Sequence, residues 1–188
     1  MTDLADLETR IARLESRTEL SDLVTRYGIA CDEHDIAHLE GLFTHDAEFT
    51  SPNGLMMAKG RDEIIAMFCK VLAIRGPGYH WTHDHIIRFD RGAEDAASGL
   101  LLSHAETTPN GTQSLAAMKY DDEYRIEDGT WRFAKRSIRF LYYVPVSEYD
   151  GALGRTDRVV AGDQRIAADY PESLAAWQDF ESKYMTDK

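Results

Sequence analysis

Only two cysteines, Cys31 and Cys69, occur in 188 residues, and they form no CxxC pair, which argues against a zinc ribbon and a disulfide framework. Both sit in apolar helical patterns, where free thiols are expected. Long apolar runs are also missing: no stretch approaches the ~18 to 20 uninterrupted apolar residues that a membrane span requires. Residues 1–10 have neither a basic n-region nor an apolar h-region, so a cytoplasmic protein is expected. Positive charge is in short supply, with 21 Lys and Arg against 33 Asp and Glu and a formal net charge of -12. The cations are scattered rather than striped, so phosphate backbones would be repelled and nucleic acid is not an expected partner. No Walker loop, GxGxxG, GxSxG or HExxH occurs, which removes the usual signatures of phosphate, dinucleotide and common hydrolase chemistry. Any catalysis must use side chains gathered in a pocket. Internal repeats and low-complexity segments are absent too.

What the chain does have is a histidine-rich run, Gly78-Tyr79-His80-Trp81-Thr82-His83-Asp84-His85-Ile86-Ile87-Arg88-Phe89-Asp90. On an unbroken strand Trp81, His83, His85 and Ile87 share one side, while His80, Thr82, Asp84 and Ile86 share the other. One side faces the interior, where a histidine is either a satisfied core residue or a titratable group in a pocket.

The rest of the pattern predicts three helices and then a long meander. Residues 3–33 read as one helix, with Leu4, Leu7, Ile11 and Leu14 and then Leu20, Leu23, Val24, Tyr27 and Cys31 recurring at threes and fours. Its first half is a narrow apolar seam suited to another helix, in its own barrel or in a second subunit. Asp32 lies five residues beyond Tyr27, about 140° net around the helix, so the two flank one broad face. A short helix follows from Asp35, a plausible cap, to Phe43. Strands at Ala47–Ser51 and Leu55–Lys59 flank Pro52-Asn53-Gly54, and a third helix runs from Arg61 to Ala73. Strands are then expected at His80–Asp90, Ala96–Thr107, Thr112–Glu127 and Trp131–Tyr143, with a polar turn at Arg91–Asp95. The fold class is α+β: a curved antiparallel sheet wrapped around the helices, leaving a blind cavity. Residues 1–144 form that domain, and 145–188 are an extension ending in a helix from about Pro171 to Tyr184.

Three local motifs carry a family resemblance: Tyr27-Gly28-Ile29-Ala30-Cys31-Asp32, the histidine run from Trp81 to Asp90, and Gly129-Thr130-Trp131-Arg132-Phe133-Ala134-Lys135-Arg136. With the element order, they resemble the SnoaL-like branch of the nuclear transport factor 2-like superfamily, cone-shaped α+β barrels, over roughly residues 8–143. Within it the chain is similar to cofactor-free lyases: scytalone dehydratase, hexachlorocyclohexane dehydrochlorinase and bile acid 7α-dehydratase. The resemblance implies an Asp32–His83 dyad, with His83 as general base and then acid, Asp32 orienting it, and Tyr27 as a proton donor. It also implies an arginine from the last strand. Arg136 fits the dehydrochlorinase phrase and Arg139 the bile acid pattern, and Arg139 is preferred when Tyr27 is counted. The two differ by three positions, so at most one enters the cavity unless a bulge intervenes.

On that reading the activity is loss of water from a hydrophobic, hydroxylated aromatic or polycyclic substrate, without cofactor or metal. Trp81, His85, Phe49, Met118 and Tyr142 are the expected substrate contacts, and a homodimer or homotrimer is expected. His85 departs from the lyase pattern, either adding a proton-transfer group or filling space. Three alternatives stay open. One is a deformylating carbon–carbon lyase acting on a lignin-derived diarylpropane through a quinone methide. Another is a noncatalytic binding or assembly module of the same fold. The third is a metal site using His83 and His85 with His80 or Asp84 nearby.

Overall fold

Apolar residues at helical spacing bury one face of the second half of α1 (Leu4–Glu33), where Leu20, Leu23, Val24, Tyr27, Ala30 and Cys31 face the core. Fully burying a side chain such as Leu20 contributes roughly 1.5–3 kcal/mol. The computed structural model describes residues 3–89 and 95–185. The turn expected at Arg91–Asp95 therefore falls, apart from Asp95, outside the described residues. His34 ends α1 in a left-handed conformation, and Asp35 then caps α2 (Ile36–Gly41) by accepting the His38 amide.

Among the described residues eight strands follow, with α3 (Arg61–Arg75) between the second and third. They are β1 (Phe43–Thr50), β2 (Ala58–Lys59), β3 (Tyr79–Phe89), β4 (Ala96–Thr107), β5 (Ser114–Glu127), β6 (Thr130–Pro145), β7 (Val159–Ala161) and β8 (Gln164–Ile166). The main order is β2-β1-β6-β5-β4-β3, with β7 joined to β6 and β8 to β7. The α+β class is the one expected, and the sheet is curved and unclosed. It departs from the expected antiparallel sheet in being mixed, because β1 runs parallel to β6 and so does β7. The core fills the concave side, where Phe43, Phe49, Phe68, Tyr120, Tyr124 and Phe133 pack against the buried face of α1.

Bulges in β3 and β6 set which residues point inward. In β3, Thr82 pairs with Ser103 and His85 with Leu101, so three steps on one strand oppose two on the other. In β6, Ala134 and Leu141 are the extra residues, since Glu123 pairs with Lys135 but Tyr124 with Phe133, and Ala117 with Tyr142 but Met118 with Phe140. Each extra residue moves the side chains beyond it to the opposite face.

Beyond β6 the extension is anchored by Arg158. Its buried guanidinium donates to the carbonyls of Leu141, Arg155 and Tyr170 and forms a two-point ion pair with Glu172. The final helix, α4 (Ala175–Tyr184), has no buried residues. No helix among the described residues is long and apolar enough to cross a membrane.

Candidate active site

The bulge in β3 decides the site. His80 and Thr82 face inward before it, and His85, Ile87 and Phe89 face inward after it, whereas Tyr79, Trp81, His83 and Ile86 are exposed. The sharing of a face by Trp81, His83, His85 and Ile87 is therefore corrected, since an unbroken alternation was assumed. His80, not His83, meets the acid. The His80 ring nitrogen Nδ1 lies 2.7 Å from Asp32 Oδ1, and the His80 backbone N–H donates to Oδ2 at 2.7 Å. His83 instead lies on the outside, 2.8 Å from the ring of His104. The helix permits this approach through Gly28, where an added Cβ would already touch the His80 Cβ at 3.4 Å.

With the Asp32 carboxylate accepting at Nδ1, a neutral His80 carries its proton there, and Nε2 keeps its lone pair. Asp32 and His80 side chains are 14% and 10% exposed. Burial pushes the Asp32 carboxyl up, but the His80 hydrogen bonds and the Arg75 charge more than offset it, leaving it below its usual range. Burial pushes His80 down, assisted by Arg75 and Arg136 and opposed by Asp32. The pair is thus a carboxylate against a neutral imidazole at neutral pH. Arg75, at the end of α3, completes it by donating from Nη2 to Asp32 Oδ1 at 2.9 Å. Arg75 lies just beyond the Ala73 end expected for the third helix, and nothing in the sequence singled it out.

Tyr27 is buried, its ring centroid 6.4 Å from that of His80, and burial raises its pKa so that it remains a donor. The arginine preference is reversed. Arg136 is fully buried, with its guanidinium 4.0 Å from the Tyr27 ring and 3.9 Å from Tyr120, while Arg139 turns outward and pairs with Asp121. The Ala134 bulge sets the phase that brings Arg136 in. Arg136 Nε lies 3.4 Å from Asp122 Oδ1. The Tyr124 hydroxyl donates to Asp122 Oδ2 at 2.9 Å, so His85 Nε2, 2.9 Å away, donates to Tyr124. Burial pushes Asp122 up to about 6, and His85 down to about 4 with help from Arg136 and Arg17.

An apolar cavity of about 460 Å³ opens at the mouth of the sheet, with Arg75 among its lining residues. Its walls include Met56, Val71, Ile74, Phe140 and Tyr143, and the β7–β8 turn at Gly162 and Asp163 completes the rim. His80 and Asp32 do not line it: they border a separate cleft of about 500 Å³ between α1 and β3, together with Gly28, Tyr79 and Trp81. Of the other expected contacts, Phe49, His85, Met118 and Tyr142 line neither space. Trp81 borders the His80 cleft from the outer face of β3, its ring tilted 55° to that of Tyr79. Phe49 and Met118 are core. Tyr142 is turned by the Leu141 bulge to the opposite face, against Ala117 and Tyr149, which leaves Tyr143 inside. Among the described residues no three His, Cys, Asp or Glu groups are placed to hold a metal.

Residues 12–137 match the SnoaL-like domain family. The chain is 30% identical over 142 residues to gamma-hexachlorocyclohexane dehydrochlorinase of Sphingobium indicum, spanning 72% of this chain and 86% of that one. The crystal structure of a hexachlorocyclohexane dehydrochlorinase, LinA Type2, has a TM-score of 0.67 at 24% identity, covering 73% of this chain and 93% of that one. A scytalone dehydratase-like protein of Novosphingobium aromaticivorans reaches a TM-score of 0.68 at 20% identity, covering 88% and 99%.

Proposed function

Because the chain belongs to the SnoaL-like domain family, with a dehydrochlorinase among its relatives, we propose that it is a cofactor-independent lyase acting through His80 and Asp32. The observation that carries this reading is the 2.7 Å contact between His80 Nδ1 and the Asp32 carboxylate, which orients the ring and leaves Nε2 free to take a proton. In the proposed step, Nε2 removes a proton from the carbon beside the one bearing the leaving group. The C–H electron pair becomes the new C=C bond, and the leaving group departs with the electrons of its own bond. For a hydroxylated substrate the imidazolium returns its proton to the departing oxygen, giving water and restoring the base. In this reading Asp32 stabilises the imidazolium, and the protonated Tyr27 and the buried cation of Arg136 favour negative charge as it develops.

The cleft bordered by His80, Asp32 and Trp81, about 500 Å³, and the apolar mouth cavity beyond Arg75, about 460 Å³, support a substrate class of apolar, ring-bearing compounds, since both volumes fall within the range of small-molecule sites. The test compares His80→Gln, Asp32→Asn and His83→Gln on two sets of probes. Chloride release from gamma-hexachlorocyclohexane follows one elimination, and absorbance changes in a panel of hydroxylated aromatic and polycyclic compounds follow the other. His80→Gln should lower kcat/KM by at least about 100-fold, the loss typical of a missing general base. Asp32→Asn should also be impaired, and His83→Gln should match the wild type. Wild-type turnover by His80→Gln would end this reading.

A further inference from the structure

Arg75 touches both the Asp32–His80 pair and the mouth cavity, and its position is fixed by several independent devices. The chain leaves α3 through Gly76 at φ +62°, and a Cβ there would lie 2.5 Å from Thr108 Oγ1. Thr108 fastens this corner, donating its backbone N–H to the Arg75 carbonyl at 3.0 Å and approaching the Pro77 carbonyl with Oγ1 at 2.8 Å. Two residues on, Gly78 leaves room for the guanidinium itself. A Cβ at Gly78 would sit 2.8 Å from Arg75 Nη2 and 2.8 Å from the Glu106 carbonyl oxygen. So held, the Arg75 side chain is only 10% exposed. It donates to Asp32 Oδ1 at 2.9 Å, comes within 3.2 Å of His80 Nδ1, and borders the mouth cavity.

We propose that Arg75 is a positioning residue for the elimination, fixing the Asp32 carboxylate against His80. This rests on the reading of His80 as the base. The carboxylate has two oxygens to satisfy. Oδ2 takes the His80 amide, and Oδ1 takes both the imidazole and the arginine, so the carboxylate cannot rotate away without losing three hydrogen bonds. Because a guanidinium stays charged at every accessible pH, Asp32 stays ionised beside it. The same cation opposes protonation of His80, which helps to keep Nε2 available at neutral pH. The charged and titratable groups around His80 are Asp32 and Tyr27 from α1, Arg75 from α3 and Arg136 from β6.

The test is a histidine-selective ¹⁵N NMR titration of the full chain, comparing the wild type with Arg75→Met and Arg75→Lys. In Arg75→Met the His80 titration should move upward in pH, because a cation that disfavours imidazolium is gone. In Arg75→Lys, which keeps the charge, it should stay near the wild-type position. The titration needs no substrate. With gamma-hexachlorocyclohexane as probe, the acidic limb of the kcat/KM profile should move upward with His80 in Arg75→Met, and kcat should fall more than KM rises. Arg75→Lys should also lose kcat, since the shorter, flexible ammonium does not reproduce the fixed Nη2 contact with Asp32 Oδ1. A folded Arg75→Met whose His80 titration and pH profile match the wild type overturns the proposal. Where Arg75→Met does not fold, an Arg75→Lys enzyme with undiminished kcat overturns it. Full activity of His80→Gln would instead remove the base while leaving the Arg75 titration informative about the pair.

Discussion

Arg136 has a charged guanidinium with none of its side chain exposed, flanked by the rings of Tyr27, Tyr120 and Phe133. Such a charge is tolerated because the aromatic faces are electron-rich and because Asp122 stands beside it. Removing the acid alone leaves an uncompensated buried cation, so Asp122→Ala should destabilise the fold by about 3–5 kcal/mol, read from urea midpoints at pH 7. The neighbouring His85 gives a pH signature. Its folded pKa of about 4 lies below the ordinary histidine value of 6.5, so its contribution to stability is present above pH 6.5 and is lost as pH falls toward 4. Asp122, raised to about 6, works in the opposite sense, contributing most below the ordinary carboxyl pKa and losing that contribution as pH rises through 6. Replacing His85 with Gln removes only the first of these. The fall in stability between pH 7 and pH 4.5 should therefore be smaller in His85→Gln than in the wild type, and an unchanged pH slope would contradict the buried neutral state of His85.

At the scale of elements, the sequence was most legible where a period runs unbroken. Helical spacing locates α1 and α3, and turn residues separate β4, β5 and β6 close to their observed ends. The bulges were not legible, because a single extra residue leaves composition and spacing almost unchanged while turning every later side chain over. With His80, His83 and His85 in one run, nothing local says which of them faces Asp32. A hint lay in Ile87 and Phe89, whose inward phase matches His85, and in Gly28, small enough for a strand to approach the helix. The same problem reversed Arg136 against Arg139 and Tyr143 against Tyr142. Arg75 was missed for another reason: a cation ending a helix ordinarily complements the helix dipole, and only the turn at Gly76 carries it inward. The β7–β8 turn adds a wall to the mouth cavity from outside the family-matched residues. Ala161→Trp should consequently raise KM for two-ring compounds more than for one-ring compounds, with kcat nearly unchanged. Equal effects on both would place substrate entry elsewhere.

For the whole molecule, the unresolved demand is the apolar seam on the first turns of α1. Leu4, Leu7, Ile11 and Leu14 are 69%, 44%, 47% and 64% exposed, and their 3-4-3 spacing makes one stripe. They do not cap their own sheet. The side that looks inward is instead formed by Thr9, Ala12 and Ser16, across a cleft from Phe89 and Ile126. We propose that this arm pairs antiparallel with the arm of a second copy. Asp3, Asp6 and Glu8 precede Arg10 and Arg13, so antiparallel alignment sets the acidic first turns of each arm near the two arginines of the other. Covering four half-exposed side chains per arm yields roughly 1 kcal/mol each, about 8 kcal/mol in all, against an association cost of about 4–15 kcal/mol. Arms alone therefore give a weak association, and a firm one needs further surface, such as the exposed side of β3 with Tyr79, Trp81 and Ile86. Leu7→Glu combined with Ile11→Glu should leave the circular dichroism spectrum intact, since neither side chain is buried, while shifting the sedimentation coefficient toward the monomer. A wild type that sediments as a monomer at high concentration, or a double variant that keeps the wild-type mass, would mean that the seam pairs with something other than itself.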